Sequence, residues 1–330
     1  MSVLAFGTIA FMLAAYVLLD GYDLGVAVVA PFVGRTEGER RAAMQAIGPF
    51  WNGNEVWLIA AGGALFALFP AAYASAFSGF YLPFMVVLWL LMGRGVALEL
   101  RDHFPSAIWR QFWDAVFSLS GALLIALFGI TLANLLRGVP LDSHGYFNGT
   151  FAFLLNPFAL LVAVFAIAAL AMHGAAFLAW RVEGAVAARA RSAGQALRIL
   201  CLVLLVLVTV AALVMHAGVS AFTWAAAACA AAAGVYLVAH TAVARGDDRA
   251  GFAATTAFVL ALMAVASGAI FPYLLRGYPE GSGGMTIYDA APSAPALASA
   301  LAVTIVGVIA VCIYSAIVWR RLAGKVRSGE

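Results

Sequence analysis

Asp20-Gly21-Tyr22-Asp23-Leu24-Gly25 and Trp51-Asn52-Gly53-Asn54-Glu55-Val56-Trp57-Leu58 set carboxyl and amide side chains inside runs that are otherwise apolar. The first interrupts an apolar run that begins at Val3. The second opens another, and a third run, 77–100, carries Arg94 near its far end. Ionisable groups in lipid-spanning segments are costly and face a bundle interior or a wet path, so they mark functional sites by default.

The surrounding composition decides that these runs do span a bilayer. The 330 residues are 65% hydrophobic and 10% charged, with a mean hydropathy of +1.02. Soluble domains are roughly 45–50% apolar and about 25% charged, so an all-α integral membrane protein is expected. The net charge of +3 is no nucleic-acid signature, because the arginines are scattered over short loops. Cys201, Cys229 and Cys312 each lie alone in apolar sequence and read as packing thiols; no metal site is expected. The run from Val3 lacks a basic flank and a small-residue cleavage site, and reads as a retained helix.

A crossing takes about 20 apolar residues. About nine candidates follow: 3–32, 51–71, 77–100, 113–136, 153–180, 197–216, 220–243, 252–275 and 297–320. Ala217-Gly218-Val219 alone separates the sixth from the seventh and predicts a tight hairpin. One polytopic domain over 1–330 is expected. It divides into a four-helix bundle with the polar cluster (1–136), a second four-helix bundle (153–275) and a peripheral last helix (297–320). Of the 18 Lys and Arg residues, all but Arg137 and Arg276 gather at the ends of the first, third, fifth and seventh helices and in the C-terminal tail. The positive-inside rule then puts the N-terminus outside and the C-terminus in the cytoplasm.

Asp20 and Asp23, spaced i, i+3, share a helix face, and Gly21 and Gly25 let a neighbour approach closely. At ~1.5 Å per residue both lie roughly 14–20 Å from the Arg-rich end of the first helix, and Glu55 about 6–8 Å into the second. With Arg94, Glu99 and Asp114 they share one half of the membrane, a polar funnel opening to the cytoplasm. Two accounts stand: a structural ion-pair network in which Arg94 neutralises Asp23 or Glu55, or a proton-conducting cluster in which excess acid exchanges protons. His173 could ligate haem, or be a hydrogen-bonded interior side chain. His103, His144, His216 and His240 sit in loops or at helix ends. Arg181 and Glu183 close the fifth helix at the membrane surface. Trp51, Trp57, Trp89, Trp109, Trp113 and Trp319 fall where an aromatic belt is expected. The loop 276–296 is turn-rich and reads as a cap, with Asp289 capping the last helix or its approach.

Asp20 to Gly25, Gly34-Arg35-Thr36-Glu37-Gly38-Glu39-Arg40-Arg41 and Ile47 through Leu58 closely resemble subunit II of cytochrome bd-type quinol oxidases. The similarity continues through Ala61–Phe66, Phe77–Tyr81, Asn134–Pro140, Leu155–Phe158, His173–Ala175 and Phe271–Tyr273. The resemblance implies a larger partner, subunit I, carrying haem b and haem d and the quinol-oxidising loop. It implies quinol oxidation at the outer face and O2 reduction to water with cytoplasmic protons, in a bacterial or archaeal inner membrane. The same resemblance implies contact with lipid, room for small accessory subunits, and no haem ligated by this chain. The family commonly has Asp where Asn52 stands, a candidate for the proton route. Asn can hydrogen-bond a water but cannot release a proton, so either Glu55 takes over or the proton enters through subunit I; Glu55 and Asp23 are the expected carriers. Trp57, from the same motif, is a candidate lining for an O2 route, with core packing the plainer account.

Two further classes compete. A secondary transporter with midplane carboxylates would show interrupted helices in matching positions of two halves; Pro83 and Gly268/Pro272 interrupt helices but do not correspond. A purely structural subunit would hold its partner in shape and do no chemistry.

Overall fold

The structure, a computed structural model, describes residues 1–215, 246–279, 282–322 and 324–326. The expected span 220–243, the hairpin at 217–219, His216, His240 and Cys229 lie outside the described residues.

A helix of 32 residues, α1 (Ser2–Val33), runs through the centre. After it come α2 (Glu37–Ile47), α3 (Trp51–Leu68), α4 (Pro70–Gly79), α5 (Tyr81–Leu100) and α6 (Ala107–Arg137). The second half holds α7 (Phe151–Leu154), α8 (Pro157–Arg181), α9 (Ala185–Met215) and α10 (Asp248–Ile270). A small antiparallel hairpin, β1 (Tyr273–Arg276) and β2 (Gly284–Thr286), then precedes α11 (Ala294–Leu322). Among the described residues, α1, α5, α6, α8, α9, α10 and α11 are long and apolar enough to cross a membrane. With α3, whose first turns hold the polar motif, each expected span inside the described residues has a helix as its main part.

The boundaries differ from expectation for local reasons. The span 51–71 breaks at Phe69, because Pro70 disfavours helical geometry in the residue before it and sits well in the first turn of α4. Pro83 lies in the first turn of α5 rather than interrupting it, and α10 ends just ahead of Pro272. α9 begins at Ala185, well before 197. Arg189, Arg191 and Arg198 dilute the hydropathy there, but Ala and Arg are strong helix formers. Gly184, at φ +78, turns the chain from α8 into α9 with a backbone that a side chain would strain. The amphipathic α2 was not foreseen. Thr36 accepts from the Glu39 amide while the Glu39 carboxylate accepts from Thr36, a capping box that starts this helix at the Arg-rich face.

α1 crosses α8, the most enclosed of the candidate spans, with the two backbones in contact. A Cβ on Gly25 would overlap the Leu170 carbonyl, and one on Gly174 would overlap the Gly25 backbone, so the two backbones touch there. Gly21 lies against the Leu170 side chain, as close approach required. This α1–α8 seam joins the first half of the chain to the second. α11 packs on α3 and α1 and leaves most of its surface outward, with Val303, Val306 and Ile313 exposed.

Opposite the Arg-rich face, β1 and the chain after α6 meet at the bridge of Val139 with Gly277, and the Arg137 guanidinium stacks on Phe153 and Tyr278. Asp289 accepts from the amide and hydroxyl of Thr286, closing the turn ahead of α11 rather than capping it. Arg181 is buried among Phe50, Phe177 and Trp180 and donates to the Leu322 carbonyl; it does not lie at the surface. Trp57 is likewise internal, whereas Trp89 is exposed.

Candidate functional site

The Arg94 guanidinium, on α5, is fully buried and reaches two carboxylates on two other helices. Nη1 donates to Asp20 Oδ1 of α1 at 2.6 Å, and Nη2 to Glu55 Oε2 of α3 at 3.1 Å. Asp20 is wholly enclosed, while the Glu55 side chain keeps 19% of its surface exposed. Arg94 therefore pairs with Asp20 and Glu55; Asp23 is not its partner.

Asp23, also fully buried, has an amide for its neighbour. Asn54 Nδ2 donates to Asp23 Oδ2 at 2.8 Å and to the Tyr22 hydroxyl at 2.8 Å, and lies 3.2 Å from the Leu19 carbonyl. An amide has two such hydrogens, so the three acceptors share them. Asp20 Oδ2 and Asp23 Oδ1 have no hydrogen-bond partner among the described residues, and buried oxygens of that kind call for a water or a proton. Asn54 is the member that sequence reasoning underused. The signal was available: an amide in the first turn of an apolar span, next to Glu55.

Two carboxyls thus share one guanidinium, and a third, Asp23, stands one turn along α1 with an amide for its partner. Arg94 cannot deprotonate, so it can hold negative charge in place but cannot relay a proton; the carboxyls can.

The other expected site residues lie elsewhere. Asn52 is exposed on α3, and the Arg94 hydrogen bonds go to Asp20 and Glu55 instead. Trp57 is buried with its ring edge-on to Phe11 at 5.9 Å, in the apolar cluster that also holds Tyr16 and Ala61. Asp114 belongs to a second ionic group at the Arg-rich face. There Arg101 bonds Asp114 at 2.5 Å and Glu37 at 3.0 Å, and Arg40 reaches Asp114 at 3.1 Å. This group fastens α2 to α6 and to the end of α5. Burial pushes the Glu37 carboxyl up, but hydrogen bonds from Arg101 and Arg40 with the nearby Arg110 outweigh it and leave it below its ordinary value. Glu39 is held at about 2 by the Arg189 guanidinium at 2.6 Å, helped by the amides of Thr36 and Arg35.

His173 is fully buried, with Nδ1 2.8 Å from Thr255 Oγ1 and Nε2 3.2 Å from the Leu18 carbonyl. Both ring nitrogens are engaged, so this side chain does not offer a haem a ligand. Among the described residues no group of three or more His, Cys, Asp or Glu side chains is arranged to hold a metal ion.

The fold and cluster define a polytopic helical membrane protein that concentrates acid and one arginine inside its first helices. The model of the cytochrome bd terminal oxidase subunit II family matches residues 1–322, and the chain belongs to that family. It is 39% identical over 200 residues to a probable cytochrome oxidase subunit 2 of Haemophilus influenzae, covering 59% of this chain and 53% of that one. It is 38% identical over 196 residues to cytochrome bd-I ubiquinol oxidase subunit 2 of Escherichia coli K12, covering 58% and 52%. A cytochrome bd ubiquinol oxidase subunit 2 of Bacillus subtilis is 36% identical over 187 residues, covering 57% and 55%. The matched stretch is thus about half the length of these curated relatives. The fold also matches a chain in the structure of bd oxidase from Geobacillus thermodenitrificans, with a TM-score of 0.78 at 16% identity over 97% of both chains.

Proposed function

We propose that this chain is the second subunit of a membrane quinol:O2 oxidoreductase, and that Glu55, Asp23 and Asp20 carry protons from the Arg-rich face toward the oxygen-reducing centre of a haem-bearing partner, subunit I. Haem b and haem d belong to that partner; quinol and O2 are the substrates. The Arg-rich face is cytoplasmic by the positive-inside rule, in a bacterial or archaeal inner membrane.

One observation carries the proposal: Arg94 bonds two carboxyls, Asp20 and Glu55, with the buried Asp23 one turn from Asp20 and no cation of its own, and Glu55 reaches the surface. Were all three ionised, two negative charges would stand uncompensated in a bilayer interior, at several kcal/mol each. Protons are the counter-charge within reach. Glu55 takes them up, Arg94 keeps Glu55 and Asp20 together, and Asn54 holds Asp23 in place. Water completes the gaps between the carboxyls. The part-exposed Glu55 on α3 also favours that face as the surface covered by the partner, since lipid would oppose it. Trp57 lines the apolar packing beside this path, where an O2 route would pass.

A transporter is disfavoured by Pro83 and Pro272. Neither opens a helix at mid-membrane, where a carrier would place its binding site. Glu55→Gln, in the assembled complex, tests the proposal. O2 consumption falls at least ~10-fold with haem spectra intact, within the range general acid–base groups supply. An unchanged rate removes Glu55 from the route.

A further inference from the structure

We infer that His173 is a positioning residue for the carboxyl cluster: oriented by Thr255, it holds the Leu18 carbonyl of α1 and so sets the rotation at which α1 presents Asp20 and Asp23. The inference deepens the proton-handling function proposed above and rests on it.

The imidazole, carried by α8, is locked between two other helices, α1 and α10. Leu18 O can only accept, so Nε2 carries the hydrogen, and Nδ1 is left to accept from the Thr255 hydroxyl of α10. The Phe252 carbonyl, 2.9 Å from the same hydroxyl, competes for its one hydrogen and keeps Thr255 Oγ1 facing the ring. The ring lies flat on Phe252, 5.0 Å between centroids at 6°, with Tyr22 edge-on at 6.1 Å. Gly174, the next residue, is where α8 touches the backbone of α1, which brings the histidine within reach of a helix carbonyl.

The grip works as one of a pair. Leu18 O is held by His173 from α8, and the following carbonyl, Leu19 O, lies 3.2 Å from Asn54 of α3. Successive carbonyls lie about 100° apart around a helix axis, so two such contacts oppose turning of α1 about its axis better than either alone. Asp20 and Asp23 follow directly on that segment. With side-chain ends roughly 5–6 Å from the axis, a turn of about 10° would move a carboxyl by about 1 Å. The Asp20–Arg94 contact at 2.6 Å has no slack for that. A displacement of about 1 Å in a reacting group can cost ~10²-fold in rate. Neither His173 nor Thr255 touches a carboxyl; they act through α1.

The test is quinol-driven O2 consumption by the complex assembled with its haem-bearing partner. His173→Leu is expected to slow turnover at saturating quinol about 10-fold, with haem spectra and the KM for quinol unchanged. His173→Gln, whose amide can donate to Leu18 O, is expected to recover most of that rate. Thr255→Val, which frees the ring without emptying its place, gives an intermediate loss and serves if His173→Leu does not assemble. Glu55→Gln is measured alongside. Normal turnover in both His173→Leu and Thr255→Val while Glu55→Gln is slow overturns the inference and leaves the proton route standing. Equal slowing by Leu and Gln overturns it too, since a donor alone then does not suffice. Normal turnover in Glu55→Gln overturns the route itself, and the inference with it.

Discussion

Replacing Arg94 with Met removes the guanidinium from between Asp20 and Glu55 while keeping much of its volume. Asp20 and Arg94 are both fully enclosed at 2.6 Å, whereas Glu55, at 3.1 Å, keeps 19% of its surface. Removing one member of a buried pair strands the other charge, at about 3–5 kcal/mol. The partly exposed Glu55 contact adds at most ~1 kcal/mol. Each 1.4 kcal/mol is tenfold, so if the pair is lost on inactivation, the lower bound predicts thermal inactivation roughly 10²-fold faster for the solubilised complex. Adding Asp20→Asn removes the stranded carboxylate and recovers most of the loss. The four members of this cycle then return a coupling of about 2–3 kcal/mol, at the upper end for residues in contact. A loss of ~1 kcal/mol or less for Arg94→Met, or a double variant no more stable than Arg94→Met, would refute the buried, coupled pair.

Two further outcomes follow from local geometry. Gly174→Ala forces a Cβ into the Gly25 backbone, which cannot swing aside, so assembled complex is lost by ~1–3 kcal/mol or more; Gly62→Ala, where nothing lies within 4 Å, is neutral or stabilising by up to ~1 kcal/mol. Glu39 is held at about 2 in the folded protein, below its unfolded value. Its contribution is therefore complete above the ordinary carboxylate range and fades as pH falls through that range toward 2. Thermal stability of Glu39→Gln should trail the parent at pH 6 and converge with it near pH 2; a constant gap refutes the assignment.

The spans were legible because hydropathy and length act on each segment alone. Gly25 could be read as a close-approach residue for the same kind of reason: a missing Cβ beside a buried acid implies a neighbour at that point. What could not be read was pairing. Whether Arg94 meets Asp20 or Asp23 depends on the rotation of α1 against α5, and three residues of spacing turn a helix by about 300°, a difference no sequence pattern encodes. Asp114 illustrates the same limit. Its type and depth matched the cluster, but α2 lies across that end of the bundle and supplies Arg40, with Arg101 alongside, as nearer partners. His173 looked like a lone histidine because Thr255 and Leu18 are each distant in sequence. The helix α2 was missed since its mean polarity reads as loop, and only the Thr36/Glu39 box marks its start.

Asn52 offers the sharpest remaining distinction between a carboxyl on the right face and a carboxyl in the right contact. It lies one turn before Glu55 on α3 but is exposed, and Arg94 reaches Glu55 and not position 52. Suppose that proton uptake needs only an acid near the Arg-rich end of α3. Asn52→Asp would then restore turnover to Glu55→Gln, since the new carboxyl sits roughly 5 Å along the helix from the lost one. Suppose instead that uptake needs an acid bonded to Arg94, because the guanidinium is what links the surface carboxyl to Asp20. The double variant then stays as slow as Glu55→Gln, and Asn52→Asp alone runs at the parent rate. The geometry requires the second outcome. Rescue above half the parent rate would show that the Arg94 bridge is dispensable and that α3 need only carry a charge to the surface.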